Sequence, residues 1–127
     1  MAVRLSWESY VCDARPHYPL LISAKRYWNS SAGVNTLPDA EALTLICTHG
    51  AGHHKELWEP TIEYLFEVDA RQAKLGGHPQ QRRIKEIWSI DSPNHGDAAV
   101  LNAAELRFGY SPMCRCPCSV EALAHLR

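Results

Sequence analysis

An α/β fold with parallel strands is what this sequence predicts, and three observations predict it. The uncharged, largely apolar run at residues 42–47 stops abruptly at Thr48-His49-Gly50-Ala51-Gly52, the pattern of a strand buried on both faces that ends in a glycine-rich turn. Residues 56–66 then read as a helix: Leu57, Ile62, Leu65 and Phe66 recur at near-helical spacing, and Pro60 suits a first turn. A second apolar run at residues 84–91, with Ile84, Ile87, Trp88 and Ile90, is closed by Ser92-Pro93-Asn94-His95-Gly96.

The earlier part of the chain predicts a hairpin. Two short strand candidates lie around Tyr10-Val11-Cys12 and Leu20-Leu21-Ile22-Ser23-Ala24. Between them Arg15-Pro16-His17-Tyr18-Pro19 reads as a turn, because each proline lacks an N–H and biases its predecessor away from helix. Antiparallel pairing is the simplest result. Lys25-Arg26-Tyr27-Trp28 prolongs the second strand, its aromatics covering a sheet rather than stacking on a ligand. Residues 29–39, rich in Ser, Gly, Asn and Pro, read as a loop.

Beyond the helix, residues 71–83 carry four basic residues, no acids, two glycines and a proline. A solvated surface connection is preferred there over an anion-binding arm. Residues 97–106 have helix-forming content and predict a short helix. Residues 109–127 change character: Cys114, Cys116 and Cys118 fall close together among prolines, and no periodicity continues. They are expected to be an irregular, disordered tail, foreign to the fold as a shifted reading frame or a retained intron would leave it. The domain proper is thus residues 1–108.

Composition excludes several classes. A chain of 127 residues allows one small domain with a real core. With 46% hydrophobic and 21% charged residues it reads as an ordinary soluble globular chain. A formal net charge of −1 argues against a nucleic-acid or membrane-surface partner. The sequence contains neither an 18-residue apolar run nor a signal-peptide core at its start, and its C-terminus is not of the Ser-Lys-Leu type, so a cytoplasmic location is expected.

The two strand ends carry a resemblance. His49-Gly50-Ala51-Gly52 after a buried strand resembles the His-Gly oxyanion-hole turn of α/β-hydrolases. Residues 84–91 with Ser92-Pro93-Asn94-His95-Gly96 are similar to that family's fourth strand and the Asp-x-x-x-His-Gly type loop after it. The wording of residues 54–61 and 88–102 resembles a fungal branch of the family, and the likeness spans residues 9–106. It implies the N-terminal half of an α/β-hydrolase sheet: hairpin strands 1 and 2, parallel strands 3 and 4, the first helix, and a spatial order beginning 1-2-4-3. It also implies an oxyanion hole at the N–H of Ala51 and Gly52, with His49 and Gly50 completing the motif. A serine hydrolase of ester-type bonds acting on a small molecule follows by resemblance.

The rest of the machinery is not found. The family's nucleophile sits on a G-x-S-x-G elbow, followed by an acid and a histidine. Ser31, Ser89 and Ser92 lack that setting, and Ser111 is followed by Pro112, which has no N–H to give an oxyanion. A triad of Ser111, Glu121 and His125 would have to converge from a proline-broken tail. The chain is therefore expected to be truncated before its nucleophile and inactive as given, the alternative being a non-catalytic module that binds a partner or ligand through the His49 to Lys55 turn; His53, His54, Asp91 and His95 are the binding-loop candidates. The family's strand order would leave the strand at residues 42–47 on an open edge, where self-association is expected.

No cofactor and no metal is expected. Gly50-Ala51-Gly52-His53-His54-Lys55 fails both the dinucleotide and the P-loop patterns. The histidines do not follow zinc-ligand spacing, and Cys-x-Cys-x-Cys lacks the paired C-x₂-C arrangement. A turn of polar histidines is expected to be solvated, Cys47 to be a small core residue, and Asp91 and Gly96 to serve turn chemistry.

Overall fold

A computed structural model describes residues 3–31, 42–76 and 82–107. Four strands form a single sheet: β1 (Leu5–Cys12), β2 (Ile22–Asn29), β3 (Ala42–Thr48) and β4 (Arg83–Ile90). Their spatial order is β1-β2-β4-β3, as the family resemblance implied. β1 and β2 are antiparallel, from Leu5 opposite Asn29 to Cys12 opposite Ile22, so the predicted hairpin forms with a longer first strand than its apolar residues suggested. β2 and β4 are also antiparallel, whereas β3 and β4 run parallel, with a register shift between Leu43 and Thr44.

A short 3₁₀ turn (Lys55–Trp58) precedes helix α1 (Glu59–Lys74), so the α-helix begins three residues later than expected, with Pro60 in its first turn. Glu59 opens the helix, where an acid suits the positive end of its dipole, and accepts hydrogen bonds from Lys25 Nζ (2.7 Å) and Tyr27 Oη (3.0 Å). One face of α1 lies on the sheet: Ile62 and Phe66 pack with Tyr27 and Ile87 in the core. Leu57, assigned to that face by spacing, precedes the α-helix and is exposed. Removing the ring of a buried Phe66 is expected to cost about 3–5 kcal/mol.

Three expectations need correction. β3 is not buried on both faces; it is one of the sheet's two edges among the described residues, and its exposure alternates, Ile46 being 47% exposed. The strand buried on both faces is β4, flanked by β2 and β3, where Ile87, Trp88 and Ser89 are all enclosed. The basic stretch at residues 71–83 is only partly a connection. Arg71 and Lys74 complete α1, and Arg83 begins β4, its guanidinium 2.9 Å from the buried Asp69 carboxylate. Asp69 also accepts the Ile84 N–H at 3.3 Å, so this pair anchors the start of β4 to the end of α1. Finally, the helix predicted at residues 97–106 divides into α2 (Gly96–Leu101) and α3 (Ala103–Leu106).

Asn102 makes that division. Its side chain is buried and acts as a substitute peptide group: Oδ1 accepts the Leu21 N–H at 2.7 Å, while Nδ2 donates to the carbonyls of Leu21 (2.8 Å) and Pro93 (3.0 Å). The approach to β2 and the loop after β4 are thereby held together. No helix among the described residues is long and apolar enough to cross a membrane. Cys114, Cys116, Cys118 and the proposed tail lie outside the described residues, as do Ser111, Glu121 and His125.

Candidate functional site

Because β3 and β4 are parallel, the loops that follow them emerge side by side at one end of the sheet, the end where open α/β sheets bind ligands. The first loop makes a tight turn in which the His53 N–H donates to the Gly50 carbonyl at 3.2 Å. Gly52, in the third position, has φ +82°, the left-handed conformation that a type II turn requires there. The Trp58 indole N–H donates to the Thr48 carbonyl (3.1 Å), tying the 3₁₀ turn to the end of β3. The second loop turns at Ser92-Pro93-Asn94-His95, closed by the His95 N–H on the Ser92 carbonyl at 2.9 Å.

Two histidines join these loops reciprocally. Nε2 of His49, in the first loop, accepts the Ser92 N–H of the second at 2.9 Å. Nε2 of His95, in the second, accepts the Gly52 N–H of the first at 3.1 Å. Each Nδ1 faces an oxygen, that of the Gly50 carbonyl for His49 (2.9 Å) and Asn94 Oδ1 for His95 (2.8 Å). An Nδ1 that faces an oxygen suits a donor and an Nε2 that faces an N–H suits a bare acceptor, so the heavy-atom geometry assigns the Nδ1–H tautomer to both rings. Their centroids are 5.0 Å apart.

Beneath the two histidines lies an ion cluster that the sequence did not announce, its Lys55–Asp91 pair buried and its Asp97 carboxylate exposed. Lys55, expected among the polar residues of the turn, is 1% exposed. Its ammonium lies 2.8 Å from Asp91 Oδ2, 2.6 Å from Asp97 Oδ2 and 3.0 Å from Glu56 Oε1. Burial opposes that charge, but the hydrogen bonds from Asp91, Asp97 and Glu56 outweigh it and hold the ammonium's pKa above the ordinary lysine range. The Glu56 carboxyl is desolvated, yet bonds from His54 and Lys55 leave its pKa lowered.

Asp91 is the hub. Besides the ammonium it accepts the backbone N–H of Lys55 (2.7 Å) and of Asp97 (3.2 Å). Ser89 adds a further tie, its hydroxyl donating to the Lys55 carbonyl at 2.7 Å. Gly96, with φ +52°, passes so close that a Cβ there would sit 2.5 Å from Asp91 Oδ2. The glycine is therefore needed for both conformation and clearance.

The residues singled out in the sequence thus divide. His49, Gly52, Asp91 and His95 come together, Asp91 as a fully enclosed support rather than a surface contact. His53 and His54 are exposed, as expected of a solvated turn, and His54 reaches only Glu56 at 2.9 Å. Of the two amides assigned to the oxyanion hole, that of Gly52 is engaged by His95, while that of Ala51 makes no hydrogen bond among the described residues. No group of three His, Cys, Asp or Glu side chains among the described residues is arranged to hold a metal. Lys55, Asp97, Ser89 and Asn102 were missed. The available signal was chemical, since a lysine flanked by a strand's turn and an amphipathic helix needs a carboxylate if the turn packs down.

An antiparallel hairpin, a parallel β3–β4 pair, the order β1-β2-β4-β3 and a glycine turn leading from β3 into a helix make a mixed four-stranded sheet with the strand order that the resemblance implied. No family model and no curated relative matches the chain. Among solved structures it is similar to the peroxisomal α/β-hydrolase Lpx1 of Saccharomyces cerevisiae, at 21% sequence identity and a TM-score of 0.49 over 80% of this chain. The chain spans about a quarter (26%) of the length of that structure.

Proposed function

We propose that this chain supplies the oxyanion side of a hydrolase acting on ester-type bonds of a small molecule, without a nucleophile of its own among the described residues. The observation that carries the reading is the Ala51 N–H. It stands at the end of β3, in a turn whose neighbouring amide is already engaged by His95. An amide fixed in this way can take up charge that develops on a carbonyl oxygen, and it needs no reorganisation when that charge appears.

The attacking group and its base would come from a further stretch of chain, as the α/β-hydrolase resemblance implies. Among the described residues no serine hydroxyl hydrogen-bonds to a histidine, and the Ser89 hydroxyl is spent on the Lys55 carbonyl. Burial pushes the thiols of Cys12 and Cys47 up, away from nucleophilic thiolates. A reducing, cytosolic setting belongs to the same proposal, and fractionation of cells expressing the tagged protein checks it.

The test is an amide titration with a short alkylphosphonate, which carries the charge and shape of an oxyanion. The Ala51 resonance is expected to shift saturably while that of Gly52 shifts little. A fluorophosphonate probe is expected to label no serine of the chain. An unmoved Ala51 amide, or a covalently labelled serine, would overturn the proposal. The exposed His53 and His54 beside this turn favour a second reading, a non-catalytic module that binds a ligand there. It gains if ligand-induced shifts centre on those two residues instead.

A further inference from the structure

We infer that His49 and His95 form a proton-released clip between the β3 and β4 loops, closed when both rings are neutral and opened when they take up protons. The argument is one of donors and acceptors. Each Nε2 can accept a backbone N–H only while it is bare, and an imidazolium has no acceptor at all. Protonating His95 sets an N–H against the N–H of Gly52, and protonating His49 does the same to Ser92, so both inter-loop bonds are lost through the same chemical change. The resulting cations would also stand with their rings 5.0 Å apart.

The surroundings do not offer a substitute bond. From the end of β4, Asp91 Oδ1 lies 3.9 Å from His49 Nε2, beyond hydrogen-bonding distance, and already accepts the Lys55 N–H. From the 3₁₀ turn come Lys55 and Glu56, and from α2 comes Asp97; the carboxylates of Glu56, Asp97 and Asp91 are each bound to the Lys55 ammonium rather than to an imidazole Nε2. Asn94 engages only Nδ1 of His95. The His49 side chain is 1% exposed, so water cannot readily replace its lost partner. Opening at the clip, with the ion cluster intact below it, is the expected response. The inference stands whether or not Ala51 receives an oxyanion.

The experiment is nitrogen-15 imidazole and amide spectroscopy of the full chain between about pH 8 and about pH 5, the range over which histidines change charge. At the upper end both rings are expected as Nδ1–H tautomers. As they become cationic, the amides of Gly52 and Ser92 are expected to lose protection from hydrogen exchange while that of Ile87 in β4 keeps its own. In His95→Gln, whose side-chain oxygen accepts without titrating, the Gly52 response is expected to flatten while the Ser92 response persists. The wild-type spectra decide without that variant should it fail to fold. An Nε2–H tautomer at either ring at the upper end, unchanged Gly52 and Ser92 protection once the rings are charged, or simultaneous loss at Ile87 would each overturn the inference.

Discussion

Lys55 Nζ and Asp91 Oδ2 are 2.8 Å apart in the interior of a small domain, and the backbone N–H of the same lysine donates to Asp91 Oδ1. A single carboxylate thus receives both the charge and the main chain of a residue thirty-six positions away in sequence. The fold of the first loop depends on a partner supplied by the second.

Replacing Lys55 by Met would keep most of the side chain's volume and remove its charge, leaving Asp91 buried without its cation. Breaking a buried pair in this way costs about 3–5 kcal/mol, a large part of a domain's whole stability. Urea unfolding is expected to show that loss, and Lys55→Met combined with Asp91→Asn is expected to lose less than the two single changes together. The raised Lys55 pKa also fixes a direction. Its contribution is complete below the ordinary lysine pKa and is lost as pH rises through the higher folded value, so the wild type's advantage over Lys55→Met should be constant up to about pH 10 and shrink above it.

Glu86 gives the opposite slope. It is desolvated on the outer face of β4, but hydrogen bonds from Trp88, Arg26 and Thr44 outweigh that burial and hold its pKa below the usual carboxylate value. A lowered pKa means stability that is present above the unfolded value, about 4.3, and is lost as pH falls through the folded one. Chemical denaturation followed below about pH 4.5 should show a shallower decline for Glu86→Gln, from a lower starting point.

Gly96 and Gly50 make a controlled comparison. At Gly96 a methyl group meets both a left-handed backbone and the Asp91 carboxylate, so Gly96→Ala should destabilise by at least about 1–3 kcal/mol. At Gly50 a Cβ meets nothing within 4 Å, and Gly50→Ala should be close to neutral in the same thermal melt.

The open edge of β3 predicts association. A strand that exposes Ile46 and unpaired main-chain groups among the described residues is a template for another strand, and lysine is the usual deterrent. Sedimentation of the wild type is expected to show concentration-dependent self-association, and Ile46→Lys should reduce it.

What the sequence made legible was whatever depends on local pattern. The apolar runs at β3 and β4, Pro60 at the start of α1 and the proline-rich turn between β1 and β2 each declare themselves within a few neighbours. Burial of β3 was misjudged because an apolar run does not say how many neighbours the strand has. Lys55 and Asn102 were invisible for a related reason. Their partners lie 36 and 81 positions away, and only the topology shows that a lysine or an asparagine turns inward. Arg83 was misread as surface charge because its partner, Asp69, is brought alongside only when α1 packs back on the sheet.

The reciprocity of the two loops constrains how such a molecule could be altered. Transplanting the Gly50–His53 turn alone into another scaffold would carry over a shape without its restraints, since Ser92, His95 and Asp91 all belong to the other strand's connection. The transferable piece is the paired unit of both connections with the lysine between them, and variation acceptable to one half is filtered by the other.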